Sequence, residues 1–123
     1  MTIRRDALQW LASRYGVRGG SIYTSKFYEP EESWTKRPAW WLEIPLDRIQ
    51  TASTDDIHLL CQTAPQASTF HYLKVPVKYF QEQLPKLSVL DNGKVSLFLS
   101  AEPKSLFIDQ RGKIEVNFSR FLN

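Results

Sequence analysis

A proline at position 76 divides the segment 71–84 into two parts with different hydrophobic periods. Residues 71–75 alternate as a β-strand does, and residues 77–84 carry apolar side chains at helical spacing. Proline has no N–H for a sheet hydrogen bond but suits the first turn of a helix. We therefore expect the strand to end and a helix to begin at Pro76.

The same pattern occurs earlier in the chain. Residues 40–50 align without a gap on residues 71–81, so that Pro45 corresponds to Pro76. Each copy is followed by a second apolar run, which begins at Ile57 after the first copy and at Val95 after the second. This similarity predicts an internal duplication of a strand–proline–helix–strand unit. Shared local physics is the alternative explanation for a match this short.

Length and composition predict one α+β domain that spans residues 1–123. A hydrophobic share of 42% supplies enough apolar surface for a core. The segment 3–15 has an amphipathic helical pattern, with Thr2 placed to cap the helix and Gly16 placed to end it. Ser21 to Tyr28 favours a strand. We expect a mainly antiparallel sheet of about six strands, flanked on its apolar face by the N-terminal helix and the helix after Pro76.

Three hairpins define neighbouring strands in the predicted sheet. One lies between the first apolar run and the second copy of the repeat, and another is at the chain's Asn-Gly pair. The last surrounds residues 109–112, between apolar residues at 106–108 and at 114, 116 and 118. At the first hairpin, Leu59 should lie beside Leu73, because a slip of one residue would turn the core side chains outward. The same register sets His58 beside Lys74.

The sequence contains no pattern for a cofactor or a metal, and we expect neither. No glycine-rich phosphate loop follows a predicted strand, and two histidines with one cysteine do not form a zinc site. Cys61 falls on an apolar strand face, which favours a buried, inert thiol. A single cysteine also favours a reducing compartment, so we expect the cytoplasm. No apolar run approaches the roughly 20 residues of a membrane span, and we expect no membrane partner.

Three polar residues are the candidates for catalysis. Glu43, His58 and Lys74 fall on the mixed face of the predicted sheet, where they could act as acids and bases on a phosphodiester. With Asp55 and Asp56 they could instead hold a metal in a nuclease-like site. A cross-strand ion pair between Glu43 and Lys74 explains the same residues without any activity. We favour this interpretation, and with it a protein that is not an enzyme.

Aromatic and basic residues share the mixed face and the loop 29–38. This loop has an acidic half, a central tryptophan and a basic half. Such a combination occurs in protein–protein hot spots and in surfaces that stack on single-stranded nucleic acid. For each aromatic residue taken singly we favour burial in the core, and for Trp34 this predicts a ring tucked back as a plug. The predicted binding residues are Trp34, Lys36, Arg37, Trp41, Tyr72 and Lys74.

From these patterns we expect a small, non-catalytic interaction module. It would bind a partner protein, or another copy of itself, through the mixed face and the tryptophan-bearing loop. Nucleic-acid binding is the second hypothesis, which the formal charge of +3 permits but does not require. A phosphodiesterase that uses Glu43, His58 and Lys74 is the third.

Overall fold

The computed structural model describes residues 3–51 and 55–123 and has the predicted α+β class. The predicted cap at Thr2 lies outside these residues. The helices are α1 (Ile3–Tyr15), α2 (Leu46–Thr51) and α3 (Val77–Gln83). The strands are β1 (Ser21–Ser25), β2 (Ala39–Pro45), β3 (Asp56–Gln62), β4 (Phe70–Pro76), β5 (Ser88–Val89), β6 (Lys94–Ser100), β7 (Ile108–Asp109) and β8 (Val116–Asn117).

The strands are divided between two sheets, where the sequence suggested one. Sheet A has the order β1-β3-β4, and sheet B has the order β2-β6-β7-β8 with β5 also paired to β6. Pairing is antiparallel throughout except between β1 and β3, which are parallel. A bridge between Tyr28 and Ala39 connects the end of the β1 segment to the start of β2. Hydrophobic alternation along β1 shows that it is a strand but does not identify its neighbour, so the parallel pairing was not predicted.

The main core lies between the inner faces of the two sheets and α3. Leu59 and Leu73 of sheet A, Leu42 and Leu97 of sheet B, and Phe80 of α3 are all fully or almost fully buried. Cys61 belongs to this core, and burial raises the pKa of its thiol far above the usual range. The thiol is therefore inert, as its position on an apolar strand face predicts.

The N-terminal helix covers the opposite face of sheet A, not the face that was expected. Ala7 and Leu11 of α1 pack against Ile22, Leu60 and Tyr72 in a second core cluster. These three sheet residues make the mixed face apolar enough at its centre to need a cover. Sheet B and α3 together cover the other face, so sheet A is enclosed on both sides.

The two copies of the repeat have the same local structure. Each is a strand that ends at a proline, a helix that starts at the next residue, and a later strand. Leu46, which follows Pro45, donates its main-chain N–H to the Gly93 carbonyl at 2.9 Å. Val77, which follows Pro76, donates to the Asp55 carbonyl at 3.0 Å. Each proline thus ends its strand, and the next residue anchors the helix to the neighbouring strand.

Strand pairing between the copies is reciprocal. The first strand of each unit pairs with the last strand of the other, β2 with β6 and β4 with β3. Ile44 lies opposite Val95, and the corresponding Val75 lies opposite Ile57. The register is therefore the same in both halves, and the sequence similarity reflects a structural repeat.

All three predicted hairpins are present. His58 lies opposite Lys74, in the predicted register of β3 and β4. The Asn-Gly turn joins β5 to β6, with Gly93 at a φ of +80° and the Lys94 N–H donated to the Asn92 side-chain oxygen at 3.1 Å. Gly16 ends α1 at a φ of +73°, a left-handed conformation that favours glycine.

Candidate functional site

Two tryptophans lie on the outer face of sheet B. The alternation of β2 sends Trp40 into the core and Trp41 outward, where 39% of Trp41 is exposed. Its indole N–H donates to the Ser96 hydroxyl at 3.0 Å, and its ring lies 6.4 Å from that of Tyr28. Trp41 is therefore fixed at its polar end and open to solvent along part of its ring.

The second tryptophan belongs to the loop 29–38, which crosses the same face. Trp34 is 64% exposed and rests with one edge on Phe98 of β6, at a centroid distance of 5.8 Å. The Arg111 guanidinium lies 5.6 Å from the centre of its ring. Phe98 and Arg111 thus contact the ring, but the ring is not tucked into the core, so the favoured prediction of a plug is wrong. We call the exposed surface formed by Tyr28, Trp34, Trp41 and Arg111 the tryptophan face.

Main-chain hydrogen bonds hold the loop in one conformation. Tyr28 and Ala39 close its base by exchanging two of them, at 2.9 and 3.1 Å. Within the loop, the N–H groups of Glu32 and Ser33 both donate to the Glu29 carbonyl at 3.0 Å. Lys36 adopts a φ of +62°, which is uncommon outside glycine and costs energy. The loop thus presents Trp34 in a fixed position.

An ion pair reinforces the first half of the loop. The Lys26 ammonium lies 2.7 Å from the Glu32 carboxylate and 4.8 Å from the centre of the Tyr28 ring. The hydrogen bond between the two charged groups raises the pKa of Lys26 and lowers that of Glu32. The other Glu32 oxygen accepts the Glu29 N–H at 3.3 Å. This carboxylate therefore links β1 to the loop.

The predicted binding residues do not form one surface. Trp34, Lys36 and Arg37 in the loop are exposed beside Trp41 on the outer face of sheet B. Tyr72 lies on sheet A beneath α1, with 2% of its surface exposed, and so cannot contact a partner there. Lys74 is exposed, but it lies on β4, at the opposite edge of sheet A from β1, the strand whose Ser25 accepts the Trp41 N–H.

The three candidate catalytic residues are not brought together. His58 and Lys74 are neighbours on sheet A, whereas Glu43 lies on sheet B opposite Ser96. Lys74 has its ion pair with Asp56 at 3.7 Å, not with Glu43. Among residues 3–51 and 55–123, no hydrogen bond or ion pair joins Glu43 to His58 or Lys74. The cross-strand pair of Glu43 and Lys74 suggested by the sequence is therefore not formed.

His58 has a different partner. Its Nδ1 atom lies 2.6 Å from the Tyr72 hydroxyl, and the two rings stack with centroids 5.7 Å apart. Burial lowers the pKa of His58 and raises that of Tyr72, and so favours the neutral form of both groups. Because Tyr72 lies beneath α1, this pair stabilises the contact between the helix and the sheet.

Two residues contact Trp34 without having been predicted as its partners. Side-chain alternation along β6 places Phe98 on the outer face of sheet B, opposite Trp41, but does not predict its contact with Trp34. Arg111 was not a candidate at all, because it lies in the turn between β7 and β8, far from the loop in the chain. The order of strands in sheet B brings it to Trp34. The only local sequence signal at Arg111 was that of the hairpin around residues 109–112.

Within the described part of the chain, no group of His, Cys, Asp and Glu residues is arranged to hold a metal ion. The helices in the same residues are all too short or too polar to cross a membrane. Comparisons with protein-family models, with curated proteins and with solved structures gave no match.

Proposed function

We propose that this protein is a non-catalytic interaction module that binds a partner protein through the tryptophan face. The observation that carries the proposal is Trp34, which is 64% exposed on an ordered loop. A large exposed aromatic side chain lowers solubility and is a common mark of a binding surface. Tryptophan, tyrosine and arginine, which make up this face, are also the residues most enriched at interface hot spots.

The order of the loop supports this proposal. A partner that binds Trp34 need not immobilise the ring, because Phe98 and Arg111 already hold it. Binding is stronger when the ordering entropy has already been lost in the free protein. The positive φ of Lys36 is a further sign, because strained main chain tends to occur where a surface has a function.

The two halves of the repeat offer an internal comparison. Trp41 and Tyr72 occupy corresponding positions, and each reaches a diagonal neighbour on the paired strand, Ser96 and His58 respectively. Helix α1 covers Tyr72, whereas 39% of Trp41 is exposed. The outer face of sheet B is therefore the less covered of two equivalent faces, and a partner would complete its burial.

Charge favours a protein over a nucleic acid as the partner. Two of the cations near the face already have carboxylate partners within the chain, Lys26 with Glu32 and Arg37 with Glu102. Glu31 adds an exposed negative charge to the same loop. Nucleic-acid affinity depends on cations that are available to phosphates. Few of the cations in this loop are available to phosphates.

Photocrosslinking tests the proposal directly. We would place a photoreactive phenylalanine analogue at position 37, beside Trp34, and in a control chain at the exposed position 78 on α3. In an extract of the source cells, we expect protein adducts from position 37 and none from position 78. Adding the change Trp34→Ala to the photoreactive chain should raise the concentration needed for half-maximal adduct formation about thirtyfold, as for a hot-spot residue. Val89→Ala, on the other face of sheet B, is the matched control and should leave adduct formation unchanged.

Equal adduct formation by the photoreactive chain with and without Trp34→Ala would refute the proposal. Tryptophan fluorescence, titrated with single-stranded and duplex oligonucleotides at two salt concentrations, covers the nucleic-acid alternative. Quenching that weakens as salt rises would favour nucleic acid instead. We expect no response.

A further inference from the structure

We infer that the partner bound by the tryptophan face is a second copy of this chain, paired about a twofold axis that passes close to Trp34. This inference rests on the proposed function, because it names the occupant of the same surface. It is carried by the order of charges along the loop 29–38.

The loop is self-complementary in charge. Its first part contains Glu29, Glu31 and Glu32, its last part contains Lys36 and Arg37, and the exposed Trp34 lies between the two parts. A twofold axis near the central residue runs two such loops antiparallel. The acidic part of each copy then faces the basic part of the other, and the same contact occurs twice.

Two charges are available for this contact. Glu31 and Lys36 are exposed, and neither side chain has a hydrogen bond or an ion pair within residues 3–51 and 55–123. By contrast, Lys26, Glu32 and Arg37 have partners within their own chain. We therefore assign the intermolecular pairs to Glu31 of one copy and Lys36 of the other.

The aromatic residues favour the same arrangement. The two Trp34 rings would meet at the axis, and each would bury the surface that Phe98 leaves open. Trp41, beside the loop, would lie at the edge of the interface. One loop and its neighbours make a small interface, below the standard size of about 1,600 Å², so we expect dissociation constants in the micromolar range.

Charge-reversal variants, studied alone and as a mixture, test the inference. Analytical ultracentrifugation of the wild-type chain over micromolar concentrations should show reversible growth from 14.3 kDa to twice that mass. Glu31→Lys places two like charges opposite each other in both symmetric contacts, and Lys36→Glu does the same with the opposite sign. Each variant alone should dimerise about tenfold more weakly.

A mixture of the two variants should regain dimerisation. One chain then carries only positive charges at the two positions and the other only negative charges, so a heterodimer restores both pairs. The double variant, Glu31→Lys with Lys36→Glu, should form homodimers again. Lys78→Glu and Glu82→Lys on α3 make the same changes in net charge away from the loop and should have no effect.

The outcomes separate this inference from the proposed function. A wild-type chain that stays monomeric, or a mixture no stronger than its components, overturns the inference. If position 37 still crosslinks to another protein, and Trp34→Ala in the photoreactive chain weakens this crosslinking, the tryptophan face binds a different partner and the proposed function stands. If neither dimer nor adduct forms, both fail.

Discussion

Asp109 shows how one residue orders the hairpin that carries Arg111 to the tryptophan face. It is fully buried, and its carboxylate accepts the main-chain N–H groups of Phe98, Arg111 and Gly112 at 2.8, 3.2 and 3.0 Å. Burial raises the pKa of this carboxyl, and the three hydrogen bonds oppose that rise. The carboxylate thus ties the turn after β7 to β6.

The change Asp109→Ala should destabilise the protein by about 3 kcal/mol, because it leaves buried N–H groups without an acceptor. Urea unfolding measures the loss. Asp91→Ala, in the exposed turn before β6, is the matched control and should change stability by less than about 0.5 kcal/mol. A similar small effect at Asp109 would mean that the three hydrogen bonds do not hold the turn.

His58 should make stability depend on pH near neutrality. Its pKa in the folded protein is lowered by burial, so below about pH 6.5 the unfolded chain binds more protons than the folded one. Folding stability is then fully present above that pH and is lost as the pH falls. Urea unfolding at pH 7.5 and 5.5 should show a drop, and this drop should be smaller in the His58→Gln variant.

His71 should contribute in the same direction, since burial also lowers its pKa, whereas the raised pKa of Asp109 acts in the opposite direction. The comparison between wild type and His58→Gln separates the contribution of His58 from the contributions of His71 and Asp109. An equal drop in the two proteins would show that His58 does not titrate differently on folding.

At the scale of elements, the parts of the fold that follow local rules could be predicted from the sequence. Proline ends two strands and starts two helices, an Asn-Gly pair makes a tight turn, and alternation of side chains sets the register of β3 against β4. Each of these features depends on neighbours within one hairpin or one turn. The repeat could be recognised for the same reason, because both copies use the same local devices.

The arrangement of elements in space could not be predicted in the same way. A hydrophobic pattern tells which face of an element is buried but not which other element covers it. The position of α1 over Tyr72, the parallel pairing of β1 with β3 and the contact of Arg111 with Trp34 all join distant segments. The sequence therefore predicted part of the candidate site, namely the tryptophans and the charged loop. It did not show that Tyr72 and Lys74 lie elsewhere, because their positions depend on how distant segments pack.

At the scale of the whole molecule, sheet A connects the two core clusters. Leu59 and Leu60 are neighbours on β3, yet the first packs into the main core and the second packs beneath α1. Neither cluster can be lost without exposing one face of the same strands. We therefore expect the chain to unfold as a single cooperative domain.

Substitutions in each cluster test this expectation. Leu11→Ala in α1 and Phe80→Ala in α3 should each cost about 3 kcal/mol, because both side chains are fully buried. In both variants, far-UV circular dichroism and tryptophan fluorescence should report one coincident urea transition, shifted to lower urea. Trp34→Ala should leave the midpoint almost unchanged, because most of its ring is exposed. If Leu11→Ala instead split the transition, with α1 lost before the sheets, the helix would be a separate unit, and Tyr72 would become an accessible second aromatic face in the partly unfolded chain.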